Sequence, residues 1–542
     1  MNSKRQGFGA AQSLAFFLLI GTADSAMADD PRNNTRLTTK VGANDWPQWG
    51  GTSERNNAPE TGALPATINI KTRENILWWT ELGSESYGGP VVANGKVFVG
   101  TNNYGGYLKR FPKKHDLGVL LCFDEKDGKF LWQYSCEKLP TGRLHDMPNQ
   151  GICSSPLLDG ERLWMVTNRC EVVCLDALGF TDQENDGPFK AEANENKDEA
   201  DILWQFDMMA ELNVSPHNMS TCSITGSGDL LFVTTSQGVD DGHLSILDPK
   251  APSLICMNRH TGAVVWTDNT PGANILHGQW SSPAYSVLDG QEQVLFGAGD
   301  GWLYSFDPKG DGRQSKLLWK FDCNPKDSKY RLNGSTRNHI VGIPVVYDGL
   351  VYVTVGEDPE HGEGQGHLWC IDPTKRGDTS PSQVFNSKDT SKPIDPKRNQ
   401  ALVVAEGDFE RDNPNSAAVW HYVGNDTSVF ESTMHRTCGT VAIKNNLLFV
   451  ADFAGVLHCV NAKTGVSHWT HDLKGASWAS TLIADGKVYI VDEDGDVLIT
   501  ELSDTLVVLS ENNLGSACYT TPIVANDTIF VCSRDKLFAL RL

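Results

Sequence analysis

Short apolar runs of four to six residues recur along the chain, separated by Asn-Gly, Asp-Gly and Thr-Gly turns. Runs of that length between such turns predict buried antiparallel strands joined by hairpins. The runs form a repeat. Its first half, Pro90-Val91-Val92-Ala93-Asn94-Gly95-Lys96-Val97-Phe98-Val99, returns at 156–166, 344–353, 481–491 and 522–531. Its second half is plain in Gly455-Val456-Leu457-His458-Cys459-Val460-Asn461-Ala462-Lys463-Thr464-Gly465-Val466-Ser467-His468-Trp469. The same phrase appears as Leu121-Cys122-Phe123-Asp124 with Gly128 and Trp132, and as Ile255-Cys256-Met257-Asn258 with Gly262 and Trp266.

Eight opening strands start near Tyr87, Cys153, Ser220, Trp280, Val341, Thr437, Trp478 and Tyr519. Closing strands carry Trp132, Trp204, Trp266, Trp319, Trp420 and Trp469, with Val507 in the seventh place. The eighth opener reaches Leu542 before any fourth strand, while 76–82 supplies an unassigned strand ahead of the first opener. An N-terminal strand that completes the last blade leaves no exposed edge. The pattern therefore predicts an all-β, closed eight-bladed propeller of four-stranded antiparallel blades over 76–542.

The phrase Leu-x-Ala-hydrophobic-Asp-x-x-x-Gly-x-x-x-Trp is the signature of the PQQ-like (pyrroloquinoline quinone) repeat, and from about 76 to 542 the chain resembles that family. Asp45-Trp46-Pro47-Gln48-Trp49-Gly50-Gly51 is similar to the lead-in of exported propellers of this kind and is expected along the outside or base of the ring. The Gly-His/Trp-Asp phrases of WD repeats and the Gly-Gly phrase of kelch repeats are missing. Cys122, Cys174, Cys256, Cys370 and Cys459 all take the small third-strand place, which Ser305 and Ala539 fill in other blades. Cysteine there acts as a small buried hydrophobe, and five copies in five blades stand too far apart to bridge one another. Any disulfide is left to Cys136, Cys153, Cys170, Cys222, Cys323, Cys438, Cys518 or Cys532.

The N-terminus changes the picture of compartment. Lys4 and Arg5 precede a mostly apolar stretch, 8–20, and Ala26-Met27-Ala28 offers a small-x-small cleavage pattern. That predicts a signal peptide over 1–28, a lead-in over 29–75, and a periplasmic or secreted monomer. The first cysteine is Cys122, which argues against a lipid anchor at the cleavage point. A formal net charge of −22 disfavours nucleic acid and anionic membrane as partners.

Candidate chemistry gathers on the face of the blade-joining loops. His217, His277, His339 and His435 fall five or six residues before the Pro, or its equivalent, of an opening strand, and His145 lies in a comparable loop. Tyr87, Trp280, Trp478 and Tyr519 share one aligned place three residues before that Pro, with Arg143, Arg331, Arg337 and Arg436 in the same loops. His217, His277, His339, His435, Trp280, Trp478, Tyr519 and Arg337 are thus the candidate lining of a funnel for a planar or anionic ligand. Loop-bonded imidazoles and a plug of aromatics are the structural alternative. The loops 102–118, 237–253 and 357–366 add length on this face, while 179–200 and 375–418 look like flexible polar excursions on the other.

No metal is expected, because no His-x-His, Cys-x-x-Cys or His-Glu-x-x-His pair occurs. Asp492-Glu493-Asp494-Gly495-Asp496 and 307–312 are expected as hairpin turns, since neither has the Glu that closes a calcium loop. The resemblance implies two functions. A quinoprotein dehydrogenase would hold PQQ with calcium in the central funnel, and its relatives carry an adjacent Cys-Cys pair that this chain lacks. A BamB-like propeller would instead be a non-catalytic scaffold offering a rigid face to a protein partner or small ligand. No catalytic residue and no cofactor is assigned, and the scaffold is the favoured expectation.

Overall fold

The computed structural model describes residues 42–331, 334–356 and 364–542; the signal peptide expected over 1–28 lies outside them. Eight antiparallel sheets follow one another along the chain. Blade 1 is Val91–Ala93, Lys96–Asn102, Leu117–Asp124 and Phe130–Glu137, hydrogen-bonded in that order. Blades 2 to 7 repeat this order, and blade 4 gains a parallel strand, Gly377–Asp378, beside Leu317–Asp322. Blade 8 combines Ile523–Ala525, Thr528–Cys532 and Lys536–Leu540 with Ile76–Glu81, so that Trp78 lies opposite Ala539 and Glu81 opposite Lys536.

The repeat signature acquires a physical reason here. In seven blades the residue in the small third-strand place pairs across the sheet with the closing Trp, as in Cys122 with Trp132, Cys459 with Trp469, Ser305 with Trp319 and Ala539 with Trp78. That indole then docks on the following blade: Trp132 Nε1 donates to Ala177 O (3.2 Å), Trp266 Nε1 to Pro308 O (2.8 Å) and Trp420 Nε1 to Ala462 O (2.9 Å). The repeat's Gly makes room for the ring. A β-carbon on Gly262 would stand 2.6 Å from Trp204, and one on Gly465 would stand 2.7 Å from Trp420. All five third-strand cysteines are buried among such contacts, and no disulfide joins any of the cysteines among the described residues.

Blade 7 departs from the pattern. Ser510, not Val507, takes the Trp place, because the turn before the fourth strand is longer and leaves Val507 outside the ladder. Its partner is the bulky Ile499, which leaves no slot for an indole. Leu64 and Ile68 cover it from the N-terminal segment, anchored by Ser510 Oγ to Ala66 O (2.6 Å) and Ile68 N to Asn512 Oδ1 (2.8 Å).

Around the axis, the residue before each opening strand's Pro position links neighbours. Ser155 N donates to Ser223 Oγ (3.1 Å), Ser223 N to Ser282 Oγ (2.8 Å), Thr440 N to Ser480 Oγ (2.9 Å) and Ser480 N to Thr521 Oγ1 (3.0 Å). These opening strands are inner edges with amides left to satisfy. The lead-in satisfies them. Val92 N donates to Trp46 O (2.9 Å), Leu158 N to Pro47 O (2.8 Å), Tyr285 N to Ser53 O (2.9 Å), Val346 N to Glu54 O (3.0 Å) and Ile483 N to Asn57 O (3.0 Å). Ile443 N donates to Asn56 Oδ1 (2.9 Å), and Thr225 Oγ1 reaches Gln48 Oε1 (2.9 Å). A stretch this short can touch so many blades only where they converge, since each residue spans at most about 3.6 Å. The lead-in thus lies across the axial end of the ring beside the first hairpin turns, inside the base rather than along the outside. Its two glycines allow the fold-back: Gly51, at φ +72, would otherwise place a β-carbon 2.6 Å from the Trp46 ring.

The two polar excursions are ordered against the ring. Gln133 N donates to Asp198 O (3.0 Å), and Ala200 N to Gln133 O (3.1 Å). The longer one forms a hairpin, Ser382–Asn386 with Asp408–Asp412, and then reaches the blade-joining loops, where Tyr330 N donates to Asn399 O (2.8 Å). Hydrogen bonds to neighbouring backbone hold both, which polar composition does not reveal. Among the described residues no helix is long and apolar enough to cross a membrane.

Candidate functional site: the mouth of the ring

The residues three before the Pro position stand at the start of the opening strands, at the end of the axis away from the lead-in. Three of them, from blades 1, 7 and 8, form an aromatic group. Tyr87 stacks on Tyr519 with centroids 4.9 Å apart, Trp478 meets Tyr519 edge-on at 6.2 Å, and Phe453 meets Trp478 edge-on at 5.0 Å. Burial pushes the Tyr87 and Tyr519 phenols up, so both stay neutral. Trp478 Nε1 donates to Glu493 Oε2 (3.2 Å).

Across the mouth, Trp280 gathers the imidazoles. His277 stands 5.1 Å from its ring, His339 5.4 Å and His217 6.3 Å. Trp280 Nε1 donates to His217 O (3.2 Å). His243 joins this group, with its ring 4.7 Å from His217 and 4.6 Å from His277. Alignment of the repeats misses it, because it sits in the loop between second and third strands of blade 3, outside the repeated phrase. Its only signal is that 237–253 is long and lies on this face.

Two sequence candidates go elsewhere. His435 Nε2 lies 3.1 Å from Phe430 O, and its backbone N donates to Asp452 Oδ2 (2.8 Å), so it ties a loop together. Arg337 is buried against Asp322 (3.4 Å), which also pairs with Lys326 (2.7 Å). Burial works against the Asp322 charge, but Arg337 and Lys326 outweigh it and hold the carboxyl below its usual range. His145 is likewise internal, 3.0 Å from both Thr141 Oγ1 and Ser215 Oγ, with its pKa lowered by burial.

Residues 411–542 match the family model described as outer membrane protein assembly factor BamB. The ring is an eight-bladed β-propeller. Similar solved structures include BamB from Moraxella catarrhalis, with 14% identity over 86% of this chain and 96% of that one, at a TM-score of 0.48. A europium-containing methanol dehydrogenase is similar at 11% identity, over 92% of this chain and 98% of the other, with a TM-score of 0.43. A quinohemoprotein alcohol dehydrogenase from Comamonas testosteroni shows 12% identity over 94% and 81%, with a TM-score of 0.42. None of the curated proteins matches the chain.

The described residues of this ring do not suit a calcium-held quinone. Calcium takes about six to eight oxygen ligands, and among the described residues the buried carboxylates Asp300, Asp322, Asp452 and Asp492 on this face are already engaged. Asp322 is ion-paired, as above. Asp300 accepts from Tyr304 Oη (2.6 Å) and Trp302 N (3.1 Å), and burial pushes it up to about 6. Asp492 accepts from the amides of Asp494 (3.0 Å) and Asp496 (2.9 Å) in its own turn, and Asp452 holds His458 Nε2 at 3.0 Å. Among the described residues, what gathers at the mouth is imidazole and aromatic.

Proposed function

We propose that this chain is an exported, non-catalytic binding ring that presents its blade-joining-loop face to a protein partner. The observation that carries the proposal is the asymmetry of the two ends. The lead-in is hydrogen-bonded across one end, while the other carries the aromatic groups around Trp280 and Trp478. The loops of that second face also expose Leu244 (70%), Leu247 (60%) and Phe430 (47%), apolar groups of the kind that a partner surface covers. The match of the last blades to a model named for an assembly factor supports a scaffold role.

A small planar or anionic ligand at the mouth is the second reading, favoured by the stacked Tyr87–Tyr519 pair and the indole beside three imidazoles. Photo-crosslinkers placed at Leu244, Phe430 and, on the far face, Val466 separate the outcomes in native exported material. A protein partner gives adducts from Leu244 and Phe430, lost on Leu247→Asp but retained in W280A/W478A. A small ligand gives no adduct, and its binding disappears in W280A/W478A. Adducts from Val466 alone would overturn the proposal.

A further inference from the structure

We infer that His217, His243 and His277 form a three-imidazole site for one divalent transition-metal ion of the zinc or copper(II) class. One ring nitrogen from each lies within 4.8 Å of the others. Bonds of ~2.0–2.1 Å place tetrahedral donors about 3.3 Å apart, so an ion would draw the rings together by side-chain movement alone. An all-nitrogen set suits zinc or copper and not calcium or magnesium. Three protein ligands leave a fourth coordination position, the arrangement of open zinc sites.

The three loops are built to meet. His217 Nδ1 lies 2.9 Å from Val239 O, a contact that fixes the ring beside the cluster. Val239 N in turn donates to His277 O (2.9 Å). Between them passes Gly238, where a β-carbon would stand 2.6 Å from His217 Cβ and 2.8 Å from His277 O. His243 sits at φ +57 in a turn closed by Asp240, whose backbone O accepts from His243 N (3.0 Å) and whose Oδ1 accepts from Leu244 N (2.9 Å).

Arg398 then clamps the two outer loops. It donates through Nη1 to Leu244 O (2.7 Å), through Nε to Ile275 O (2.8 Å) and through Nη2 to Leu276 O (3.1 Å). One guanidinium from the long excursion thus holds the loop of His243 against the loop of His277. His217 and His277 are buried, while His243 is half-buried, so an ion enters past His243. Sequence spacing offers no metal pair because each ligand comes from a different loop. The site stands whether or not a protein binds the mouth.

The test uses the full exported chain, stripped with a chelator and titrated with zinc, with cobalt(II) as the spectroscopic probe. We expect one equivalent bound, a cobalt spectrum of nitrogen ligation, and a melting temperature raised by zinc and restored by chelator. His243→Ala is the informative variant, since its loop position leaves the buried pair in place. It should weaken zinc by more than the ~10–100-fold typical of outer-shell changes and abolish the thermal shift. His468→Ala, on an exposed closing strand, should change neither. A chain that binds no stoichiometric zinc, or that binds it equally after His243→Ala, overturns the site.

Discussion

The indole of Trp78 lies across Gly128 of the next blade, so close that a β-carbon on Gly128 would stand 2.5 Å from Trp78 Cε3. Trp78 Nε1 meanwhile donates to Glu125 O (3.0 Å), so the strand from the start of the chain is keyed into blade 1 as firmly as other closing strands are into theirs.

That contact separates two glycines of like backbone. Gly128 has φ +71 and Gly95 has φ +74, but a β-carbon on Gly95 meets nothing within 4 Å. Gly95→Ala should therefore cost only the left-handed conformation, about 1–2 kcal/mol. Gly128→Ala must also displace the indole, and urea unfolding should place it at least about 2 kcal/mol lower still. Equal losses would remove the packing explanation for the repeat's Gly.

Arg55 is fully buried and donates to Pro283 O (2.9 Å), Trp49 O (2.7 Å) and Ser223 O (2.7 Å). It joins the lead-in to blades 3 and 4. Arg55→Met leaves three carbonyls without that donor, each hydrogen bond to a charged group being worth about 1.5–3 kcal/mol. Denaturant unfolding should show a loss of at least about 3 kcal/mol, with proteolysis opening first between residues 44 and 57. An unchanged midpoint would mean that the lead-in is an accessory to the ring.

Burial pushes the thiols of Cys256, Cys370 and Cys459 up to about 12, and those of Cys122 and Cys174 up as well. Almost no thiolate exists at pH 8, and the sulfurs are enclosed. Labelling of native protein should spare all five and reach them after denaturation. Cys459→Ala, which keeps a small residue opposite Trp469, should cost only about 1 kcal/mol. Rapid native labelling at these positions would contradict their burial between blades.

Asp300 and Asp176 each contribute stability that is lost as pH rises from about 4 to 7. Burial raises Asp300 to about 6 and Asp176 to about 7, so the folded chain binds more protons than the unfolded chain across that window. His367 and His421 act in the opposite sense. Burial lowers them to about 3 and about 4, so their unfolded forms take up protons first as pH drops below about 6.5. Asp300→Asn should shift the slope between pH 4 and 6 in the positive direction, read from unfolding midpoints against pH. A slope unchanged by Asp300→Asn would assign it to other groups.

The repeat was legible because its signals are local. Strand length, turn glycines, the small third-strand place and the Trp lie within a few residues of one another, and eight copies in one chain corroborate each phrase. Even the role of the cysteines follows from register, since a place filled by Cys, Ser or Ala in successive blades must be small and buried. Val507 shows the limit: one longer turn moved Ser510 into the ladder, and pattern alone does not count residues inside a turn.

Tertiary structure decided which loops meet. His217, His277, His339 and His435 lie at similar offsets before their opening strands, but loop path sends His435 to Phe430 and leaves the others beside Trp280. His243 and Arg398 belong to no repeat and join the cluster only because hydrogen bonds to backbone carbonyls carry their segments there. The lead-in motif was visible as a motif, but its course across the inner edges depends on amides from blades hundreds of residues apart. Local sequence determined the strands and the number of blades, since hydrophobic period and turn chemistry act over a few residues. The mouth, its imidazoles and the closed far end depend on contacts between distant segments, which exist only once the ring has formed.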